Sequence, residues 1–366
     1  MPAATPRRSR RQNGPSIADV ARLAGVSAQT VSRVSNGSSQ VHPRTQARVL
    51  AAMQQIAYSP NLAARALRSG RFGAIGLLAY HLERTGEALV AQAVTEAAAA
   101  AGYAVTLVNV ADAAANGWRQ PASRLVDQGV DGLIVLRAET QTMRQLALPA
   151  GLPVAVSDAR LVGYYPSVVC DQTQGSLDAV HYLLNLGHPV VHHLGGPTES
   201  DPANLRAAAW RRALEQVGIK PPAELRGDWT PASGYHLGKR LAADPAVSAV
   251  YCANDEMAFG LLRALHEAGR RVPREVSVIG FDAVALSEFT SPPLTTIAQD
   301  FTETGQALVR IVIEQIRSHG QSPPGRVLLP ARLVPRSTTA PYLTPSQPET
   351  QSTPPSTPPQ WRPQEA

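Results

Sequence analysis

Residues 16–36 read SIADVARLAGVSAQTVSRVSN. Within this stretch Ile17, Val20, Ala21 and Ala24 recur at i, i+3, i+4 and i+7, the spacing that gathers apolar side chains on one face of an α-helix. Ser16 stands just before the run, where a hydroxyl can accept from a backbone N–H left free at the helix start. Gly25 supplies a turn, because it reaches positive φ without a Cβ clash. Ser27 is placed to begin a second short helix in which Val31 and Val34 face inward while Ala28, Gln29 and Arg33 face out. Pro43 suits the first position of a third helix, with Val49, Leu50, Met53 and Ile56 as the face on which the first two pack. Helix, glycine turn, helix is an arrangement that lays the second helix in a DNA major groove.

Charge supports that reading. Residues 1–71 hold eleven arginines and one acid, Asp19, a net +10, whereas the remainder carries −4 of the overall +6. A block so unbalanced has reason to meet a polyanion, because each phosphate it neutralises releases condensed counterions. Arg7, Arg8, Arg10 and Arg11 sit in a polar start, 1–14, that reads as a disordered basic tail adding non-specific affinity.

The pattern changes after residue 71. Short apolar runs (AIGLLAY, AVTLVNV, DGLIVL, LPVAVSD, PVVHHLGG, AVYCAND, VSVIGFD) alternate with helical stretches, which specifies a parallel α/β core long enough for two Rossmann-like lobes. In such sheets ligands sit beyond the carboxyl ends of strands, so Asn254, Asp255 and Asp282 become candidate binding groups, with helix capping as the competing role for Asp and Asn at those junctions. Cys170 and Cys252 lie in apolar runs without a CxxC or His-rich neighbourhood and read as buried core thiols, and neither a metal nor a cofactor is expected. Residues 340–366 are Pro, Ser, Thr and Gln with little apolar content, a composition that favours disorder, and they lack the leucine heptads of a tetramerising coiled coil. With 44% hydrophobic content the chain can bury an ordinary core. It has no apolar run of about eighteen residues and no signal-peptide pattern, so a cytoplasmic, nucleoid-associated protein without membrane partners is expected.

The segment IADVARLAGVSAQTVSRVSN, continuing to VLAAMQQIAYSPNLAARALRSGRFGAIGLL and on through GDW, CANDEMAFG, VIGFDA and PPLTTIAQDF, closely resembles the regulators of the LacI family over residues 16 to 335. The resemblance implies a helix-turn-helix headpiece (15–60), a hinge helix (61–70) and a two-lobed core (71–339) similar to periplasmic sugar-binding proteins. Its N-lobe would hold about 72–186 and 300–329, its C-lobe about 187–299 and 330–339, and the whole would act as a homodimer on a pseudo-palindromic operator in double-stranded DNA. It implies base reading by Ala28, Gln29 and Arg33, whose chemistries suit a methyl contact, adenine and guanine. It gives phosphate contacts to Ser27, Thr30, Ser32, Asn36 and Thr45, short polar groups that fix register. Asn61, Ala64 and Leu67 fall in the hinge helix, with Leu67 as a wedge that kinks the minor groove.

For the core, the resemblance places Arg206, Trp229, Asn254 and Asp282 in an effector cleft, with Gln299, Phe301, Tyr80 and Arg84 completing its wall. A forked guanidinium, a carboxylate, an amide and an indole suit a small sugar. Near CDQTQGS, Gln174 stands where some sugar-binding relatives place an aspartate, so either Asp171 substitutes or the sugar differs. The expected function is transcriptional repression released by a carbohydrate, the alternative a corepressor-dependent repressor or an activator answering another metabolite. An enzyme is disfavoured, since no paired carboxylates or activated nucleophile accompany the cleft, and GYHLGKR lacks the GxxxxGK[ST] spacing of a phosphate loop.

Overall fold

In the computed structural model, which describes residues 15–35, 38, 40–58, 71–110, 119–136, 148, 151–157, 164–318 and 325–343, three helices open the chain: α1 (Ile17–Ala24), α2 (Ala28–Ser35) and α3 (Pro43–Gln55). A capping box starts α1, the Ser16 hydroxyl accepting from the Asp19 N–H while the Asp19 carboxylate accepts from the Ser16 N–H, and Gly25 ends it at φ 61°. The Thr30 N–H donates to Ser27 Oγ at 3.1 Å, capping α2, and His42 with Pro43 opens α3. Val20, Ala24, Val31, Val34, Val49 and Met53 close one small core. Leu50, expected inside, is 46% exposed: Val49, Ala52 and Met53 fill the available face, and Leu50 falls just beyond it.

The remaining chain builds two parallel sheets. The first has β1 (Ala74–Ala79), β2 (Ala104–Asn109), β3 (Gly132–Leu136), β4 (Val154–Ser157), β5 (Ser167–Cys170) and β11 (Arg326–Leu329), in the order β11-β5-β4-β3-β1-β2. β1 and β3 are paired in parallel from Ile75 opposite Gly132 to Ala79 opposite Leu136. The second has β6 (His192–Gly195), β7 (Leu225–Arg226), β8 (Ala249–Cys252) and β9 (Ser277–Ile279), ordered β7-β6-β8-β9. β10 (Thr296–Ala298) and β12 (Arg332–Val334) pair antiparallel. The helices are α4 (Thr85–Ala100), α5 (Arg119–Asp127), α6 (Gln172–Asn185), α7 (Asp201–Gln216), α8 (Pro231–Ala243), α9 (Asp255–Glu267) and α10 (Phe301–Arg317).

Burial separates the lobes. Ile75, Leu77, Ile134, Val94, Leu308 and Val312 form one cluster, so α10 returns to the first sheet. Ala179, Val180 and Leu183 of α6 instead cluster with Trp210, Tyr251 and Phe281. The first crossing between lobes therefore falls at Asp171, not near 186 as expected: the apolar face of α6 lies on the second sheet. Two further crossings follow at 299–300 and 330–331. The apolar run AVTLVNV forms the edge strand β2, and its Leu107 is exposed.

Packing also runs past residue 339, where a disordered tail was expected to begin. The Tyr342 N–H donates to the Leu186 carbonyl at 2.8 Å, and the buried His188 ring contacts the Ala340 carbonyl at 3.2 Å. The tail's residues 344–366, the basic start 1–14 and the hinge 61–70 lie outside the described residues. Among those described, no helix is long and apolar enough to cross a membrane.

Candidate functional site

On α2, Val31 and Val34 are buried, and this fixes the opposite face: Ser27, Ala28, Gln29 and Arg33 are exposed, while Thr30, Ser32 and Thr45 are partly so. The outward face therefore offers a methyl, an amide and a guanidinium, with no acid on the helix. Asp19 is turned to the capping box and an ion pair with Arg22. Asn36, Asn61, Ala64 and Leu67 lie outside the described residues.

In the two-lobed core a cavity of about 340 Å³ sits where the chain crosses between lobes, lined by Cys170, Asp171, Gln172, Gln299 and Phe301 among others. Gln172 Nε2 donates to Gln299 Oε1 at 3.0 Å, and Gln299 Nε2 donates to Asp282 Oδ1 at 2.5 Å. Behind these amides lies Arg206, 1% exposed. Its Nε donates to Gln172 Oε1 at 2.7 Å, its Nη1 to the Ala253 carbonyl, and its Nη2 faces Asp282 Oδ1 at 3.4 Å. The guanidinium carbon stands 3.7 Å from the Phe281 ring centroid and 5.5 Å from that of Trp229.

Arg206, Trp229, Asn254 and Asp282 are thus neighbours in one network, yet none of them is among the residues lining this cavity. Asn254 does what the competing role required, its Oδ1 accepting from the Met257 N–H to cap α9, and its amide also donates to the Trp229 carbonyl at 3.0 Å. Trp229 holds φ at 75°, which turns its indole over Gly196, where a Cβ would come within 2.7 Å of the ring. The Tyr80 ring lies against that of His81, centroids 3.8 Å apart and planes tilted by 52°, and Arg84 stands before α4; neither lines the cavity. Gln299 and Phe301 do, as does Asp171, while Gln174 points outward to Asp178.

Asp255, singled out for its place after β8, is instead a buried bolt. Its carboxylate accepts from Thr296 Oγ1 at 2.6 Å, Ser287 Oγ at 2.5 Å and the Val284 N–H at 3.0 Å. Burial, reinforced by the negative charge of Asp282, pushes its pKa up to about 7 against the pull of those hydrogen bonds. Cys252 is buried as expected, but Cys170 is only partly buried and faces the cavity, because β5 ends there.

Sequence reasoning missed Glu87, Gln172, Asp201 and Leu205, all lining residues. Gln172 could have been found as the residue after the Asp171 cap, on the first turn of a helix beginning at a strand's carboxyl end. The glycines of GYHLGKR are explained by packing: a Cβ on Gly234 would strike the backbone of Met257 on α9, and one on Gly238 would crowd Leu261.

Two family models match the chain, "Bacterial regulatory proteins, lacI family" over residues 16–61 and "Periplasmic binding protein-like domain" over 180–339. The lactose operon repressor of Escherichia coli (strain K12) is 35% identical over 324 residues, covering 88% of this chain and 89% of that protein. The crystal structure of the Lac repressor dimer bound to operator and the anti-inducer ONPF superposes with a TM-score of 0.80 at 32% identity, covering 90% of this chain and 100% of the other. A complex of the transcriptional regulator CelR with cellobiose reaches a TM-score of 0.66 at 28% identity, covering 88% and 99%. With its capped helix pair, its two parallel-sheet lobes and a relative so similar across nearly its whole length, the chain belongs to the lacI family of bacterial regulatory proteins.

Proposed function

We propose that this protein represses transcription by holding a pseudo-palindromic operator as a homodimer, and releases it when a small sugar fills the cleft between its lobes. The observation that carries the reading is the outward face of α2, Ala28, Gln29 and Arg33, on a unit whose charge is almost wholly basic. Gln29 and Arg33 supply bidentate partners for adenine and guanine, and Ala28 a methyl contact. Ser27, Thr30, Ser32, Asn36 and Thr45 set register on phosphates, and Asn61, Ala64 and Leu67 engage the minor groove through a hinge helix. Two-fold pairing of such headpieces matches a palindrome.

The cleft supplies the control. A ligand shifts DNA affinity only by its differential affinity for two conformations of the core. Gln172 and Gln299 meet the cavity on one side and Arg206 and Asp282 on the other, so a ligand hydroxyl competing for either amide loosens the contacts that join the lobes. Phe301 joins Gln299 in the wall, and Tyr80, Arg84, Trp229 and Asn254 stand as further wall residues in the ligand-closed form. The similarity to a cellobiose-bound regulator and to a lactose operon repressor supports a carbohydrate.

The test is selection of bound duplexes from a library of fully randomised sequence, followed by titration of the selected operator with mono- and disaccharides. A sugar that lowers operator affinity supports induction. One that tightens it reverses the sign to corepression, and selection of no palindromic consensus overturns the operator reading.

A further inference from the structure

The chain enters the first sheet through a socket built by the turn that follows α5. Gly129 stands there at φ 80°, and a Cβ on it would come within 2.4 Å of the Phe72 ring, so glycine is what leaves room for that ring. Two residues on, the Asp131 carboxylate acts as a fork. Its Oδ1 accepts from the Phe72 N–H and its Oδ2 from the Gly73 N–H, each at 2.7 Å, and the Asp131 N–H donates to the Ala74 carbonyl at 2.8 Å. Strand pairing of β1 with β3 begins only beyond these contacts, with Ile75 opposite Gly132. The side chain therefore extends the tie between the strands back over two residues that precede β1. Hydrogen bonds to a carboxylate are among the strong ones, and here both oxygens are engaged.

We propose that Asp131 is a positioning residue for operator binding: its fork fixes where and in which direction the chain leaves the core, so that a dimer presents its two headpieces at one spacing. The inference rests on the reading of the protein as a dimeric operator-binding repressor. The backbone at 72–73 is the covalent path from the core to α1, α2 and α3. A tied leader moves with the sheet, whereas a free one absorbs the movement by rotation about its own dihedrals. Once one headpiece has docked, the second meets its half-site at an effective concentration that falls as the tether becomes longer and softer. Loss of the fork releases two residues in each subunit, about 7 Å of chain at full extension. Every released residue must be ordered again on the DNA. Asparagine at this position keeps one acceptor oxygen but turns its NH2 against an N–H, so it breaks the fork with almost no change of size.

The experiment measures the affinity of the full-length protein, at one salt concentration, for the selected operator and for a duplex carrying a single half-site. The readout is the ratio of the two. Asp131→Asn is expected to lower that ratio about tenfold or more, while half-site affinity stays within about twofold of native. Leu125→Ala is the comparison: Leu125 is buried against Gly76 in the same lobe, so its loss should lower the urea midpoint and leave the ratio unchanged. Should Asp131→Asn fail to fold by its urea curve, Asp131→Ser makes the same test, its hydroxyl lying one bond short of both N–H groups. A folded variant that keeps the native ratio overturns the proposal and leaves the operator reading intact. So does an equal loss on both duplexes, or a Leu125→Ala protein that loses as much of the ratio as Asp131→Asn. A native protein that does not prefer the two-fold site to the half-site overturns the operator reading and the proposal with it.

Discussion

At the residue scale, two arginines show how burial decides what a charge does. Arg33 is exposed on α2 with its guanidinium free to reach a base edge, so Arg33→Ala is expected to weaken specific operator binding by about 1–3 kcal/mol and relax one base position. Anisotropy titrations against operators varied one position at a time measure this; a uniform loss across all sequences would make Arg33 a phosphate contact. Arg206 is enclosed with Asp282 and Gln172. Removing one partner of a buried pair leaves the other charge uncompensated, so Arg206→Ala should cost about 3–5 kcal/mol in urea unfolding. A loss below about 1 kcal/mol would mean that solvent reaches Asp282 freely.

At the level of elements, the paired helices α8 and α9 depend on glycine. A Cβ on Gly260 would meet the Pro231 carbonyl and the Tyr235 N–H, backbone atoms that cannot swing aside. Gly260→Ala is therefore expected to destabilise the second lobe by about 1–3 kcal/mol, read as a lower urea midpoint. This close approach could not be read from CANDEMAFG, because its reason lies on another helix. Locally coded elements were legible: Ser16, Gly25 and Ser27 each act within three or four residues of themselves, and the apolar runs of β1, β3, β8 and β9 carry their own burial. The assignment of α6 to the wrong lobe has the opposite origin. Its apolar face fits either sheet by pattern, and only Trp210, Tyr251 and Phe281 choose between them.

For the whole molecule, two buried groups give opposed pH dependences. Asp255 keeps its proton in the folded state up to about pH 7, whereas the unfolded chain loses it near 3.8, so its contribution to stability falls as pH rises through that window, by about 1.4 kcal/mol per unit. His193 behaves inversely. Its Nδ1–H donates to the Tyr251 carbonyl at 2.9 Å, and burial, then the positive charges of Arg226, Arg211 and Arg206, hold its pKa down at about 3. The unfolded chain binds that proton below about pH 6.5, so stability is lost as pH falls from there towards 3. Between pH 4 and 6.5 the two slopes oppose and largely cancel in the native protein. Asp255→Asn separates them: relative to the native protein, the variant should gain stability as pH rises from 4 to 7 and hold a constant difference above that. Parallel unfolding curves at pH 4.5 and 6.5 would show that Asp255 is ionised throughout.

By itself the sequence determined the helix pair and its outward face, the alternation that yields two parallel sheets, and the separation of a basic headpiece from an acidic core, because caps, turns, periodicity and charge act over a few residues of chain. Tertiary structure alone decided which side chains meet at the crossings between lobes. Asp171, Gln172, Gln299 and Phe301 come from segments more than a hundred residues apart, and Arg206 and Asp282 become wall supports only because those amides stand in front of them.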